Sequence, residues 1–294
     1  MVSAGECLLC SGSARTALFP THVPWVVRCD DCGLVFSQPQ PDDSELDAIY
    51  DEHYYEQFGF KRAGRDENLG LAATKQATYR RLLKVAEPFI DRQHERRLLD
   101  VGCGLGYSLL AATAAGWQAR GLDPLAPESE LPGRRIDRGV LGEYSTGDRF
   151  TLVSLVSLVD VIEHVRDPVA AIRHAAELFD ESGLVLLATN NVASLPARWM
   201  GHRWTHYLRA HLWYFTPETL SRTVEAAGLE VCTTRPAARV YNLQYIASIL
   251  ARDENFPAAR RVARSMLAAM PQRLLQQPWP PVLEGFVVVA RRPR

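Results

Sequence analysis

The sequence has no marked excess of charge of either sign. Its 294 residues include 33 basic and 34 acidic side chains, which leaves a formal net charge of −1. A chain that binds nucleic acid or an anionic membrane over a broad surface usually carries a strongly basic balance. We therefore expect neither a nucleic-acid partner nor a membrane partner, and the sequence leaves the oligomeric state open.

Export and membrane signals are also missing. Residues 1–9 lack the basic start and apolar run of a secretory signal, so we expect a cytoplasmic protein. The one long uncharged stretch, residues 101–119, contains four glycines and so predicts a tight turn and a buried helix instead of a membrane span. With 47% hydrophobic and 23% charged residues the composition is that of a globular protein, which excludes a disordered, collagen-like or coiled-coil chain.

Cysteines are few, but four of the six form two C-x2-C pairs. Cys7 and Cys10 are separated from Cys29 and Cys32 by eighteen residues, a spacing typical of four-cysteine zinc sites. Two tight turns can direct four thiolates at one ion, and such a closed shell holds structure without doing chemistry. We therefore predict that zinc stabilises residues 1–40, which carry little apolar mass of their own. Four free or disulfide-linked cysteines are the alternative.

A nucleotide-type binding site is predicted in the middle of the chain. An apolar strand containing Asp100 runs into a glycine-rich turn at 102–106, a helix follows to residue 115, and a second strand ends in Asp123. In such a βαβ unit the helix N-terminus faces a ligand, and the terminal acid accepts hydrogen bonds from ribose hydroxyls. The order Asp-x-Gly-x-Gly-x-Gly differs from the G-x-G-x-x-G turn of dinucleotide-binding proteins.

Several segments together resemble a known family. Asp100–Gly106, with Asp123 after it, is similar to the first two motifs of class I S-adenosylmethionine-dependent methyltransferases. Asp160–Pro168 resembles the segment after the fourth strand of that family, and residues 211–229 resemble its later motifs. The resemblance covers about residues 95–291. It implies an α/β fold with a doubly wound, seven-stranded, mostly parallel sheet, the Rossmann-like methyltransferase fold, in which the last strand is antiparallel.

The N-terminal segment restricts the resemblance to one branch of that family. The run C-x-x-C-G-L-V-F from Cys29 to Phe36 is similar to a branch of the family that carries a four-cysteine zinc-binding segment and modifies small molecules. The domain order we expect is a zinc segment at 1–40, a helical cap or lid at 41–94, and a core at 95–294. An amphipathic helical insertion is expected at about 236–280, where it would cover a sheet edge or the substrate pocket.

The resemblance implies methyl transfer from S-adenosylmethionine to a small molecule. The acceptor would be a natural product, a sugar or another carboxylate or hydroxyl compound, and O-methylation is the expected reaction. The residues implied in cofactor binding are Asp100, Gly102, Cys103, Gly104, Gly106, Asp123, Pro124 and Asp160. Two alternatives stay open: an RNA or protein methyltransferase that docks through the zinc knuckle, and a non-catalytic S-adenosylmethionine-binding protein.

Candidate catalytic groups cluster after the fourth predicted strand and in a later loop. Histidine has a suitable pKa for a general base, so we consider His164, His206 and His211, together with Glu163. The alternative is that His164 braces the following helix and His211 anchors its loop. The resemblance also suggests a magnesium ion held by Asp160, Glu163 and His164 with His206 or His211, although Asp160 has a shorter reach than the glutamate usual at that position.

Overall fold

The computed structural model describes residues 6–50, 71–91, 95–126, 132–144, 153–252 and 256–293. Residues 51–70 and 92–94 of the predicted cap, and residues 1–5 of the predicted zinc segment, lie outside the described residues. Within the described parts, no helix combines the length and the apolar character that crossing a membrane requires.

Strands and helices alternate along most of the described chain, as the sequence pattern predicts. In chain order they are β1 (Arg15–Phe19), β2 (Val23–Cys29), β3 (Val35–Ser37), α1 (Asp43–Ile49), α2 (Leu71–Ala86), β4 (Arg97–Val101), α3 (Tyr107–Ala114), β5 (Gln118–Asp123), β6 (Ile136–Arg138), β7 (Val153–Val159), α4 (Pro168–Glu177), β8 (Phe179–Asn190), α5 (Leu195–Met200), β9 (Trp213–Tyr214), α6 (Pro217–Ala226), β10 (Glu230–Arg239), α7 (Leu243–Leu250), α8 (Pro257–Ala269), α9 (Gln272–Leu275) and β11 (Val282–Arg291). Short 3-10 turns lie at Glu87–Phe89, Leu141–Glu143 and Gly201–Arg203.

The core is a seven-stranded sheet in the order β10-β11-β8-β7-β4-β5-β6. The strands from β8 to β6 pair in parallel, whereas β11 is antiparallel to both β8 and β10. This arrangement confirms the predicted doubly wound, mostly parallel fold with an antiparallel last strand.

Both faces of the central strands are buried. Leu98 of β4 and Leu155 of β7 pack in a cluster with α2 and α3. Their neighbours Leu99 and Val156 point the other way, into a cluster with α4 and α6. Because helices cover both faces, these strands are almost continuously apolar, which is why the sequence marks them clearly.

The N-terminal segment forms a four-stranded sheet with part of the core. Strands β1, β2 and β3 follow in order, and β9 adds to β3 in antiparallel pairing, with Val35 opposite Tyr214. The alternating residues between the two cysteine pairs indicate a strand near β2, but no pattern indicates β9, which begins 176 residues after the end of β3. Cys7, Cys29 and Phe36 share one hydrophobic cluster with Trp213 of the core. The segment therefore packs as a continuation of the core.

The helical insertion consists of three helices, α7, α8 and α9. Pro257 and Pro271 stand at the beginnings of α8 and α9, where a missing N–H costs nothing. Asn242 forms an isolated antiparallel bridge with Pro278, which brings the two ends of the insertion together. The insertion is thus a closed helical unit between the last two strands of the sheet.

Candidate active site

A cavity of about 560 Å³ opens at the carboxyl ends of the central parallel strands, where open α/β sheets bind ligands. Apart from the four predicted zinc ligands, nearly all the site residues predicted from the sequence line it: Asp100, Gly102, Cys103, Gly104, Asp123, Pro124, Asp160, Glu163, His164, His206 and His211. Gly106 is outside the cavity lining and caps α3 with a φ of 70°. The structure therefore brings the two predicted groups, cofactor-binding and catalytic, into one space.

The glycine turn approaches the next loop too closely for a side chain. Gly102 has a φ of +68°, and a Cβ there would lie 2.4 Å from Cγ2 of Val161. Both the backbone angle and the contact therefore require glycine. The neighbouring Cys103 side chain packs over Gly121 of β5, and burial raises the pKa of its thiol.

Asp123 holds the glycine turn. One carboxylate oxygen accepts a hydrogen bond from the Gly104 N–H at 2.8 Å, and the other accepts one from the Leu125 N–H at 2.9 Å. Pro124 follows directly and also lines the cavity. The carboxylate thus connects the turn after β4 to the turn after β5, at the position expected to face a ribose.

Asp100 is buried behind the turn. Its carboxylate accepts hydrogen bonds from the Tyr79 hydroxyl at 3.1 Å, from the Ser157 hydroxyl at 2.6 Å and from the Ser108 hydroxyl. Burial raises its pKa to about 6, although these three hydroxyls oppose the shift. The hydroxyls come from α2, β7 and α3, so Asp100 ties three elements together beneath the cavity.

His164 is fixed by its main-chain and side-chain neighbours. Its Nδ1 lies 3.0 Å from the Ala210 carbonyl oxygen and 2.7 Å from the Tyr50 hydroxyl. Because a carbonyl oxygen can only accept, we assign the proton to Nδ1, which leaves Nε2 as the basic nitrogen. Burial lowers the pKa of His164 to about 4. The ring is therefore neutral at neutral pH.

The other two histidines have parallel rings. The centroids of His206 and His211 are 6.3 Å apart with an interplanar angle of 8°. The Asn190 amide nitrogen lies 3.1 Å from Nδ1 of His206, and since that nitrogen only donates, the proton of His206 is on Nε2. Burial lowers the pKa of both rings, and for His211 the neighbouring His164 adds to the effect.

Two carboxyl groups that line the cavity together with the histidines, those of Asp160 and Glu163, differ in their charge. Burial would raise the pKa of Asp160, but Arg239, which binds both carboxylate oxygens, one at 2.6 Å, outweighs burial and holds the pKa at about 2. Burial and the negative Asp160 raise the pKa of Glu163 to about 8. The nearby Thr189 hydroxyl opposes this shift without reaching hydrogen-bond geometry. Glu163 is thus neutral at pH 7 while Asp160 is ionised.

The predicted magnesium site does not fit the arrangement. Glu163, His164 and His211 each offer one ligand atom, all within 4.8 Å of one another. Asp160 is outside this group, and Arg239 binds its carboxylate. Its φ of 58° departs from a regular strand continuation. One carboxyl group and two imidazoles differ from the oxygen ligands that magnesium prefers.

The four cysteines of the N-terminal segment converge. Their Sγ atoms all lie within 4.8 Å of one another, with 3.4 Å between Cys7 and Cys32 and 3.5 Å between Cys10 and Cys29. A tetrahedral zinc site with bonds of about 2.3 Å places its sulfur atoms roughly 3.8 Å apart. The donor set therefore fits a four-thiolate zinc site.

Several cavity residues were not predicted from the sequence. Tyr50, Asn190, Arg239, Tyr241 and Tyr245 all line the cavity. They come from a helix end, two strand ends and the insertion, and none belongs to a local motif. The one available signal was the position of Asn190 at the end of an apolar strand.

Comparison with known protein families identifies a match over more than half of the chain. A family model described as a methyltransferase domain matches residues 71–234, which is 164 of the 294 residues. The match begins at α2 and includes the glycine turn, Asp123 and the histidine loop.

Curated relatives match about half of the chain. The ubiquinone biosynthesis O-methyltransferase of Rhodopseudomonas palustris (strain BisB5) is 28% identical over 169 residues, covering 50% of this chain and 62% of the relative. The protein of the same name from Cereibacter sphaeroides (strain ATCC 17029 / ATH 2.4.9) is 32% identical over 153 residues, covering 46% and 60%. The chain thus spans about three fifths of the length of these relatives.

Solved structures share the fold at low identity. A Burkholderia thailandensis 1,6-didemethyltoxoflavin-N1-methyltransferase, bound to 1,6-didemethyltoxoflavin and S-adenosylhomocysteine, aligns with a TM-score of 0.53 and 14% identity over 90% of this chain and 98% of that one. The [4+2]-cyclase SpnF aligns with a TM-score of 0.52 and 18% identity over 87% and 98%. These two names cover different reactions, so the function must be argued from the site.

Proposed function

The chain belongs to the methyltransferase-domain family, and on that premise we propose that it binds S-adenosylmethionine and methylates a small molecule at a hydroxyl oxygen. The names of the curated relatives, ubiquinone biosynthesis O-methyltransferases, support the choice of oxygen. The S-adenosylhomocysteine bound to the Burkholderia relative supports the choice of donor. The acceptor is then a member of those classes suggested by the sequence that carry a free hydroxyl group.

One observation carries this proposal: the glycine turn and the histidine cluster share a single cavity. Gly102, Gly104 and Asp123 line one part of it, and Glu163 and His164 line another. Transfer between two bound molecules requires that both occupy one space in a defined orientation, and such alignment can lower a bimolecular barrier by about 7–11 kcal/mol. The cavity therefore has a cofactor half and an acceptor half.

When bound, S-adenosylmethionine supplies a methyl group that its sulfonium already activates. The chain contributes the binding and alignment. The turn at Gly102 and Gly104 brings the backbone close to the cavity, and Asp123 offers a carboxylate held by the turn itself. Asp100 stabilises the turn from behind through its three hydroxyl partners.

We assign the general base to Nε2 of His164. The Ala210 carbonyl keeps the proton on Nδ1, so Nε2 has a free lone pair with which to accept the acceptor's hydroxyl proton. His206 has the opposite arrangement, since the Asn190 amide occupies its Nδ1 and leaves an N–H donor at Nε2. Glu163, neutral at pH 7, is a second donor that can orient the acceptor.

Calorimetric titration with S-adenosylmethionine tests the donor, and release of S-adenosylhomocysteine with hydroxylated acceptors tests the transfer. We expect one cofactor site per chain and turnover with at least one acceptor. Absence of cofactor binding would refute the proposal. Cofactor binding without turnover would favour the non-catalytic alternative, and strongly salt-dependent RNA binding would favour the docking alternative.

Alanine variants of the histidines test the base. His164→Ala should lower kcat by about 10²- to 10⁴-fold and leave the affinity for S-adenosylmethionine unchanged. His174→Ala, on α4 and outside the cavity lining, is the matched control and should keep wild-type turnover. Wild-type activity in His164→Ala together with loss of activity in His211→Ala would move the base to His211.

We also propose that the four converging cysteines bind a structural zinc ion. Cys7, Cys10, Cys29 and Cys32 would supply four thiolates, which leave no position for water or substrate. The ion would join the turn before β1 to the turn after β2, at the open end of the β1–β2 hairpin. Through β3 and β9 it would support the loop that carries His206 and His211. Its role is therefore structural.

Metal analysis of protein purified without chelator tests the zinc proposal. We expect about one zinc per chain in the wild type and its loss in Cys29→Ser. Cys232→Ser, on β10 and apart from the cluster, is the matched control and should retain the metal. Wild-type protein without zinc would contradict the proposal.

A further inference from the structure

The helical insertion builds one wall of the acceptor half. Tyr241 and Tyr245 line the cavity, and their rings are parallel, with centroids 5.8 Å apart and an interplanar angle of 3°. Asn242 caps α7 by accepting from the Tyr245 N–H at 2.8 Å. The Trp279 N–H donates to the Tyr241 carbonyl at 2.7 Å, beside the bridge to Pro278. Because both ends of the insertion are joined there, the two tyrosines form a fixed aromatic wall.

Buried polar atoms near this wall have no partner within the described residues. Neither carboxyl oxygen of Glu163 has a hydrogen bond, and the same holds for Oδ1 of Asn190. Glu163 is only 2% exposed. Buried polar atoms are rarely left unsatisfied in native proteins, so these atoms need a hydrogen-bonding ligand or water. Asn190 Oδ1 can only accept, and its ligand must therefore bring a donor such as a hydroxyl.

Among the described residues, the cations of the acceptor half already have acidic neighbours. Arg239 binds both oxygens of Asp160, and its Nε lies 3.7 Å from a carboxylate oxygen of Glu284. The Tyr241 hydroxyl donates to the same Glu284. Lys75, which with Arg239 completes the cations that the described part of the chain contributes to the lining, lies close enough to Asp160 to lower its pKa. Both cationic side chains therefore act on Asp160, and a carboxylate ligand would meet acidic neighbours.

From these three observations we infer that the acceptor is a neutral ring compound carrying at least two hydroxyl groups. Its ring face packs against Tyr241 and Tyr245, one hydroxyl donates to Asn190 Oδ1, and the other is presented to His164 for methylation. The inference rests on the proposed methyl transfer and restricts the class of acceptor. Tyr241 and Tyr245 become specificity residues supplied by the insertion.

Matched pairs of acceptors test this inference. The pairs are 3,4-dihydroxybenzyl alcohol with 3,4-dihydroxybenzoate, and glucose with glucuronate, so that each pair differs mainly in a carboxylate. The readout is the kcat/KM of S-adenosylhomocysteine formation. We expect the neutral member to exceed the charged one by at least about tenfold, because a like charge in the site costs binding energy. The more active pair identifies an aromatic or a saturated ring.

Variants of the aromatic wall provide a second readout. Tyr245→Leu should raise KM for the neutral acceptor by about three- to tenfold with kcat unchanged, and Tyr245→Phe should restore the wild-type KM because it keeps the ring. Tyr144→Leu removes a tyrosine outside the cavity lining and should leave KM unchanged.

Two outcomes would overturn the inference: a preference for the carboxylate members, or an unchanged KM in Tyr245→Leu. Where turnover is too slow to measure, the same pairs are titrated by calorimetry into protein saturated with S-adenosylhomocysteine. Tighter binding of the carboxylates, or no binding of any neutral member, would then count against it. Failure of the proposed function is distinguishable, because in that case the protein either does not bind S-adenosylmethionine or binds it and releases no S-adenosylhomocysteine with any acceptor, neutral or charged.

Discussion

Removing the Asp123 carboxylate tests how the cavity holds its cofactor. This side chain is 3% exposed and accepts two backbone hydrogen bonds, from Gly104 at 2.8 Å and from Leu125 at 2.9 Å. A hydrogen bond to a charged group contributes about 1.5–3 kcal/mol. In Asp123→Ala both bonds are lost, and the freed N–H groups recover part of that free energy from water in the cavity. The turn also loses the contact that keeps it in place.

We therefore expect Asp123→Ala to weaken S-adenosylmethionine binding by about 2 kcal/mol, which is about thirtyfold in Kd. Asp123→Asn keeps a single acceptor oxygen for two N–H donors. Its affinity for S-adenosylmethionine should therefore lie between those of the wild type and Asp123→Ala. Asp137→Asn, on the neighbouring strand β6, makes the same chemical change outside the cavity lining and serves as the control. Its Kd should equal that of the wild type.

The assay is calorimetric titration of each variant with S-adenosylmethionine and S-adenosylhomocysteine, combined with thermal unfolding to show that the variants are folded. A folded Asp123→Ala protein with a wild-type Kd for both ligands would refute the role assigned to this carboxylate. An equal loss of affinity in Asp137→Asn would show that removing any negative charge from this part of the sheet has the same effect.

Three further predictions concern stability. The pKa of Asp100 is raised from 3.8 to about 6, so its contribution to the free energy of unfolding is full below pH 4 and is lost as the pH rises through 6. The unfolding free energy of Asp100→Asn relative to wild type should therefore rise by about 3 kcal/mol over that range in urea titrations. A difference between the two proteins that stays constant with pH would contradict the shift. Arg239→Leu leaves Asp160, whose side chain is 33% exposed, without its partner and should cost about 1.5–3 kcal/mol of unfolding free energy by denaturant titration. The exposed Arg235→Leu on the same strand should cost little, and equal losses would show that the pair is unimportant. Gly102→Ala places a Cβ 2.4 Å from Val161 and should lower Tm more than Gly228→Ala, which has the same type of backbone angle but nothing within 4 Å; equal Tm values would remove the steric argument.

Much of the fold was predictable because its signals are local. The central strands are mostly apolar, and β4 runs directly into a glycine turn, so residues a few positions apart indicate both the strand and its end. The same holds for the glycine turn with Asp123, and for the two cysteine pairs, whose spacing within each pair follows from the tight turn they occupy. Local patterns therefore predicted the βαβ unit with its glycine turn and Asp123, and the family resemblance predicted the seven-stranded, mostly parallel sheet.

The acceptor half was only partly predictable. His164 and Glu163 were found from their position after an apolar strand, but their partners lie far away in sequence. Tyr50 is 114 residues from His164, and Arg239 is 79 residues from Asp160. The resemblance suggested a cation shared by Asp160 and Glu163, and the structure instead pairs Asp160 with Arg239. No periodicity or spacing can indicate such contacts.

The amino-acid sequence by itself determined the elements whose formation depends on near neighbours: the buried strands, the glycine turn, the cysteine pairs and the helices. Only the tertiary structure decided which ring nitrogen of His164 is basic, that the Glu163 carboxyl is neutral at pH 7 and which aromatic side chains line the cavity. The physical reason is that these properties depend on the field and the hydrogen bonds of groups brought together across the sheet edge. Such groups come from separate elements, and packing alone makes them neighbours.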